Sequence, residues 1–195
     1  LAAAAADDPQ NDARWMVELK AGQIEPSLEE YGRFYGDEDT GQYGVAFGYR
    51  FLPWLEIGAE TQYFRDSGTG RLPSTGGPGA PVEYTLAPVH VFAKFRLERD
   101  ANQLFVPYAG VGVARAHYKQ EIELQGERSG TTDSGPSVRA GVEISMNRLD
   151  PTGDTGPLRR TYLFLEVQQF EAKVDDVDLG GDALLIGFRF ELGGR

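Results

Sequence analysis

The chain has 195 residues, a length that suits one domain. It contains no cysteine, which excludes disulfides and thiolate metal sites. With 19 Lys and Arg against 30 Asp and Glu the net charge is -11, and so acidic a chain lacks the basic patches that nucleic acid requires.

The start, Leu1-Ala-Ala-Ala-Ala-Ala6-Asp7-Asp8-Pro9, looks like the tail of a secretory signal peptide around its cleavage site, or a frayed Ala-rich end. Residues 1–13 are read as a flexible N-terminal segment and 14–195 as the domain. Eight segments of that domain alternate apolar and polar residues with period two, the pattern of strands with two unlike faces. Trp15–Gln23 puts Trp15, Val17, Leu19 and Ala21 on its apolar face, and Gln42–Leu52 puts Tyr43, Val45, Phe47, Tyr49 and Phe51 there. Leu55–Arg65 follows with Leu55, Ile57, Ala59, Thr61 and Tyr63, and Tyr84–Leu97 with Ala87, Val89, Val91, Ala93, Phe95 and Leu97. Leu104–Tyr118 carries apolar residues on both faces; Phe105, Ala109, Val111 and Val113 are read as its greasy set. Ser137–Met146 has Val138, Ala140, Val142, Ile144 and Met146. Thr161–Phe170, again mixed, has Leu163, Leu165 and Val167, and Ala183–Leu192 has Leu184, Ile186, Phe188, Phe190 and Leu192.

The connections alternate in length. Those after the first, third, fifth and seventh segments run to as many as 18 residues, whereas Pro53-Trp54 and Glu98–Gln103 are short. The link Asn147–Arg160, with 14 residues, breaks the alternation. Long and short ends of this kind suit an up-and-down antiparallel sheet with one elaborated rim. The long loops are rich in Gly, Pro, Ser and Asp, as in Gly68 to Pro81, and are expected to be irregular. No apolar run approaches the roughly 18 residues of a transmembrane helix, but strands cross a bilayer without such a run.

The polar face decides which side points inward. It carries Glu18, Lys20, Arg50, Glu56, Glu60, Lys94, Arg96, Arg139, Glu143, Glu166, Arg189 and Glu191, six of each sign. It also carries Gly22, Gly44, Gly48, Gly58, Gly110, Gly112, Gly141 and Gly187. Glycine weakens strands and serves no purpose on a solvated face, but a crowded small-barrel interior needs small residues between long charged ones. Equal numbers of each sign allow the ion pairing that an enclosed site demands. On the greasy face Trp15 and Trp54 sit at one rim and Tyr43 and Tyr63 at the other, as in the aromatic girdles of membrane interfaces. A soluble lipocalin-like cup would require the apolar face inside. The expected fold is all-β, an eight-stranded antiparallel up-and-down transmembrane β-barrel whose lumen holds the charged residues as an ion-pair network. The four long loops, residues 25–42, 66–83, 119–135 and 171–182, contain 17 acidic and 5 basic residues, so the net charge collects on one rim.

Those features resemble the small eight-stranded outer-membrane proteins of the OmpA-transmembrane, OmpX and OmpW type over residues 14 to 192. Val106-Pro-Tyr-Ala-Gly-Val-Gly-Val113 is similar to the Pro-Tyr-x-Gly-x-Gly strand of OmpW-like barrels. Gly187-Phe-Arg-Phe190-Glu-Leu192 resembles the C-terminal signal read by the barrel assembly machinery, with Gly187, Phe190 and Leu192 in its key places. It departs from that signal at Leu185, where a polar residue is usual, and in the three residues after Leu192. Trp15 to Asp37 is loosely similar to a family of uncharacterised myxobacterial outer-membrane barrels. The resemblance implies a bacterial outer-membrane location, contact with membrane lipid and lipopolysaccharide, and transient contact with the assembly machinery.

Few residues point to chemistry. Asp37-Glu-Asp39-Thr-Gly41 and Asp176-Val-Asp178-Leu-Gly180 place carboxylates two apart beside a turn glycine, so Asp37, Asp39, Asp176 and Asp178 are candidate Ca²⁺ or Mg²⁺ ligands at the outer loops. Neither run has a full twelve-residue loop, and a solvated acidic rim is the plain alternative. His90 falls on the polar face, and His117 near the outer rim with Ser129 and Ser134 within loop reach and Glu121 or Glu123 as orienting groups. This is the composition of a lipid A-modifying enzyme without its motif. No catalytic residue is assigned, and no cofactor beyond a divalent cation is expected. The leading expectation is a non-enzymatic barrel with a charge-plugged lumen and acidic loops that meet lipopolysaccharide or a protein partner; the alternatives are a narrow OmpW-like solute channel and the lipid A enzyme.

Overall fold

A computed structural model describes residues 13–27, 40–69, 81–100, 103–122, 126–146, 158–175 and 177–193. Its strands are β1 (Ala13–Pro26), β2 (Thr40–Leu52), β3 (Leu55–Thr69), β4 (Pro81–Arg96), β5 (Phe105–Ile122), β6 (Gly126–Thr131), β7 (Gly135–Ser145), β8 (Leu158–Phe170), β9 (Lys173–Val174), β10 (Val177–Asp178) and β11 (Gly181–Gly193). Each long strand pairs antiparallel with its neighbour in the chain, and β1 pairs with β11 from Ala13–Gly193 to Pro26–Gly181. The ring β1-β2-β3-β4-β5-β7-β8-β11 is therefore closed, an eight-stranded antiparallel barrel with no free edge.

The wall is inverted relative to a soluble protein. Leu19, Val45, Phe47, Ile57, Val91, Val111, Val113, Leu165, Val167, Leu184 and Ile186 stand exposed on its outside. Glu18, Lys20, Glu56, Glu60, Lys94, Arg96, Glu143, Glu166 and Arg189 are buried inside. Near the short turns the outer face carries a band of rings: Trp15 lies 4.7 Å from Tyr49 and 5.2 Å from Phe47, and Trp54 stacks on Phe95 at 6.0 Å. Toward the long loops Tyr43 pairs with Tyr63 across β2 and β3, both exposed. An apolar belt between two aromatic levels matches a bilayer and its two interfaces. Among the described residues no helix is long and apolar enough to cross a membrane.

The strands run further than the alternation suggests. β3 continues to Thr69 and β4 begins at Pro81, so the ends of a loop expected to be irregular are paired backbone. β5 continues to Ile122, and its outer half pairs with β6 from His117–Thr131 to Ile122–Gly126, a hairpin where the sequence reads as loop. β6 opens at Gly126 with φ 89°, a left-handed conformation open to glycine. The apolar period fails here because Lys119, Glu121, Glu127 and Ser129 share one exposed face, while the other mixes Gln120 and Arg128 with Tyr118. β8 likewise begins at Leu158 and takes in Arg160, the end of the long link.

Candidate functional site

The barrel interior is the site to which the sequence directs attention. Period-two alternation sends every second side chain of each strand inward, and the register sets which of them share a level. All twelve charged residues of the polar face are buried, and each lies within ion-pairing distance of at least one of opposite sign.

Near the short turns the network centres on Glu56. Arg50 Nε donates to Glu56 Oε1 at 3.2 Å, and Arg189 meets the same carboxylate with Nη1 at 2.8 Å from Oε2 and Nη2 against Oε1. Arg50 also donates to Glu191. Arg96 Nη2 donates to Glu143 Oε2 at 2.6 Å, and its Nη1 lies 3.0 Å from Glu191. At mid-barrel Lys94 Nζ donates to Glu18 at 2.5 Å and Arg189 Nη1 to the same oxygen at 3.0 Å. Lys20 Nζ bridges Glu60 at 2.7 Å and Glu166 at 3.0 Å, and Arg139 Nη1 reaches Glu60 at 2.7 Å. Most of these carboxylates meet two or more cations, which offsets the large cost of removing charge from water.

Rings and glycines complete the packing. The Tyr108 hydroxyl donates to Glu166 Oε2 at 2.9 Å, while Lys94 Nζ sits 4.4 Å from the centre of the Tyr108 ring. Arg139 lies 4.1 Å from the Phe92 ring centre. The interior glycines face these rings across the sheet: Gly141 opposite Tyr108, Gly58 and Gly112 opposite Phe92, and Gly187 opposite Phe164. A Cβ on Gly141 would come within 2.5 Å of the Tyr108 hydroxyl, so the ring lies flat on the wall only because that side chain is absent.

Above the charges the interior changes character. Gln62 donates to Gln168 at 2.5 Å and to Glu60, and His90 Nδ1 lies 3.3 Å from Ser137 Oγ with its ring edge-on to Phe170. Above this polar layer Ile24, Phe64, Tyr84, Leu86, Phe170 and Leu185 form an apolar cluster at the loop end, joined by Ala172 and Leu179 from the β8–β11 connection. That connection turns in over the mouth. Leu179 N donates to Ala172 O at 2.8 Å, and Ser27 N to Gly180 O at 2.8 Å.

Asp178 lies within this cap: its Oδ1 accepts from Ala172 N and from Gly180 N, both at 2.9 Å. Asp37, Asp39 and Asp176 fall outside the described residues, and among the described residues no group of three metal-ligating side chains comes together. Of the assembly-signal residues, Gly187 is buried against the lumen and Phe190 and Leu192 are partly buried on the other face. Leu185, out of place for that signal, is an interior residue of the cap. His117 is exposed on the outer wall, where its Nδ1 lies 3.0 Å from Thr131 Oγ1 and Ser134 lines the same groove, and Glu123 lies outside the described residues.

Sequence reasoning missed the cap, and it missed Arg160 and Glu98. Arg160 is buried at the short-turn end, its Nη1 donating to Glu98 at 2.5 Å. Its signal was parity, since it stands two residues before the buried Tyr162 on the same strand. The cap residues share inward parity with the charged ones and were hidden because apolar side chains point inward there while the outer face mixes Gln23, Arg65 and Gln169 with apolar residues.

The chain belongs to the outer-membrane β-barrel family: the family described as outer membrane protein beta-barrel domain matches residues 1–188. It is accordingly a protein of the bacterial outer membrane. No curated protein matches it. Among solved structures it is similar to OprG of Pseudomonas aeruginosa, with 13% identity, 96% of this chain and 100% of that one covered, and a TM-score of 0.63. It is also similar to Neisserial surface protein A, with 14% identity, 91% and 97% coverage and a TM-score of 0.58. The N-terminal barrel of P. aeruginosa OprF follows, with 11% identity, 90% and 96% coverage and a TM-score of 0.51. Identities this low establish a common fold and no common activity.

Proposed function

We propose that this protein is a closed, non-enzymatic barrel that serves a structural or interaction role at the cell surface. The observation that carries this reading is the stacking of two seals in one lumen, the ion-pair network from Arg50 to Arg139 and the apolar cap around Phe64, Leu86 and Leu185. An ion entering from outside would have to displace packed side chains and then break paired charges. The acidic outer loops then form the working surface, meeting lipopolysaccharide phosphates through Ca²⁺ or Mg²⁺, with Asp37, Asp39 and Asp176 as candidate ligands, or meeting a protein partner. Asp178 is the weaker ligand of that set, because one of its oxygens already holds the cap. Gly187, Phe190 and Leu192 are the proposed contacts for the assembly machinery during insertion.

One observation favours a narrow solute channel as second reading. Gln42 and His90 Nε2 are buried in or near the polar layer with no hydrogen-bond partner among the described residues, and buried polar groups of that kind are commonly satisfied by water. Conductance of the refolded protein in a planar bilayer separates the two. Silence from folded protein is expected; discrete openings would overturn the closed barrel and favour the channel. Lipid A enzymology is disfavoured by the pairing of His117 with Thr131.

A further inference from the structure

The outer wall changes from apolar to polar along β5, where Val111, Val113, Arg115, His117 and Lys119 all face outward. Around Arg115 and His117 lies an open groove of about 380 Å³. Its side toward mid-membrane is lined by Val89, Val91 and Val113, and its side toward the loops by Arg115, His117 and Thr131. Both polar side chains are held by the strand ladder. Arg115 Nε donates to Thr132 O at 3.0 Å, which orients the guanidinium, and His117 Nδ1 pairs with Thr131 Oγ1 at 3.0 Å.

Charge compensation sets this place apart. Three exposed cations toward the loops have carboxylates beside them: Arg65 with Glu83 at 2.5 Å, Lys119 with Glu127 at 3.2 Å, and Lys173 with Glu171 at 2.9 Å. Among the described residues neither Arg115 nor His117 makes an ion pair. A guanidinium without a counter-charge at the edge of the hydrocarbon is costly unless something anionic meets it, and Arg suits a phosphate through its planar fork of donors.

We infer that this groove is a binding site for a phosphorylated lipid of the outer leaflet, the lipid A part of lipopolysaccharide. A phosphate sits against Arg115 and His117, and an acyl chain lies along Val89, Val91 and Val113. The contact is direct, unlike the cation-bridged contact proposed for the acidic loops, and it does not depend on whether the lumen conducts.

The test is retention of lipid A by the refolded protein in detergent micelles, read by native mass spectrometry in the presence of EDTA. The protein should retain bisphosphorylated lipid A, and the double variant Arg115→Gln/His117→Gln should lose at least tenfold. Arg65→Gln, which removes a cation already paired with Glu83, should behave as wild type. Folding of each variant is checked by its heat-modifiable migration on gels. Loss of all retention in EDTA would mean that only bridging cations hold the lipid, and would overturn the direct contact. Equal retention by the double variant, or equal retention of lipid A stripped of its phosphates by the unaltered protein, would overturn the phosphate site. Displacement by millimolar inorganic phosphate would reveal a free-anion site and overturn the lipid assignment.

Discussion

Arg189 on β11 and Glu56 on β3 meet as a two-pronged pair across the barrel interior, though 133 residues separate them in the chain. The same guanidinium reaches Glu18 at 3.0 Å, Glu191 at 3.1 Å and Glu143 at 3.5 Å, so it serves four carboxylates on four strands. Arg189→Ala should therefore destabilise the barrel by about 3–5 kcal/mol, the cost of leaving a buried charge uncompensated. Adding Glu56→Gln to that variant should recover part of the loss. Urea unfolding in lipid vesicles measures both, and a wild-type midpoint for Arg189→Ala would refute a stabilising network.

Gly141→Ala should cost about 1–3 kcal/mol, because the new Cβ would meet Leu165 O at 2.4 Å and the Tyr108 hydroxyl at 2.5 Å. Gly41→Ala, with nothing within 4 Å, should change stability little. The two substitutions are chemically identical, so a comparison of their unfolding midpoints isolates the close approach of ring to wall. Equal midpoints would mean that Tyr108 moves aside freely.

Asp178→Ala should loosen the cap without unfolding the barrel. It leaves Ala172 N and Gly180 N without their acceptor, a loss of roughly 1–3 kcal/mol for each buried donor, confined to the β8–β11 connection. Hydrogen exchange at Leu179, whose amide bonds to Ala172 O, should accelerate while exchange in β1 and β11 stays slow. Unchanged exchange at Leu179 would show that Ser27 and Gly180 suffice to hold the cap.

Leu165→Arg, on the outer wall of β8, should destabilise insertion by about 2–4 kcal/mol if that wall faces mid-bilayer. Val177→Arg, at an exposed site in the short hairpin above the rim, should be nearly neutral. Equilibrium folding into vesicles reads both, and equal effects would contradict the position of the apolar belt.

The alternation of Tyr43 to Phe51 and its seven counterparts determined the fold class, because a period of two assigns every side chain to a face whatever the strand's neighbours are. The glycines and balanced charges on one face, and the tryptophans and tyrosines at the rims of the other, determined which side is inward and hence the membrane location. Three features lay beyond the sequence. The β5–β6 hairpin has one wet face and on the other mixes Gln120 and Arg128 with partly buried Tyr118, so it leaves no apolar period. The cap of Phe64, Leu86 and Leu185 is apolar inside while the outer face there mixes polar and apolar residues such as Arg65, Thr85 and Leu184, so parity loses its contrast. The partners within the lumen were decided by tertiary structure alone: closure of β1 on β11 and the register of eight strands put Arg189 beside Glu56 and Lys20 beside Glu166. A sequence lists charges of each sign, but pairing depends on distances of a few ångströms across a closed ring, which only the assembled barrel defines.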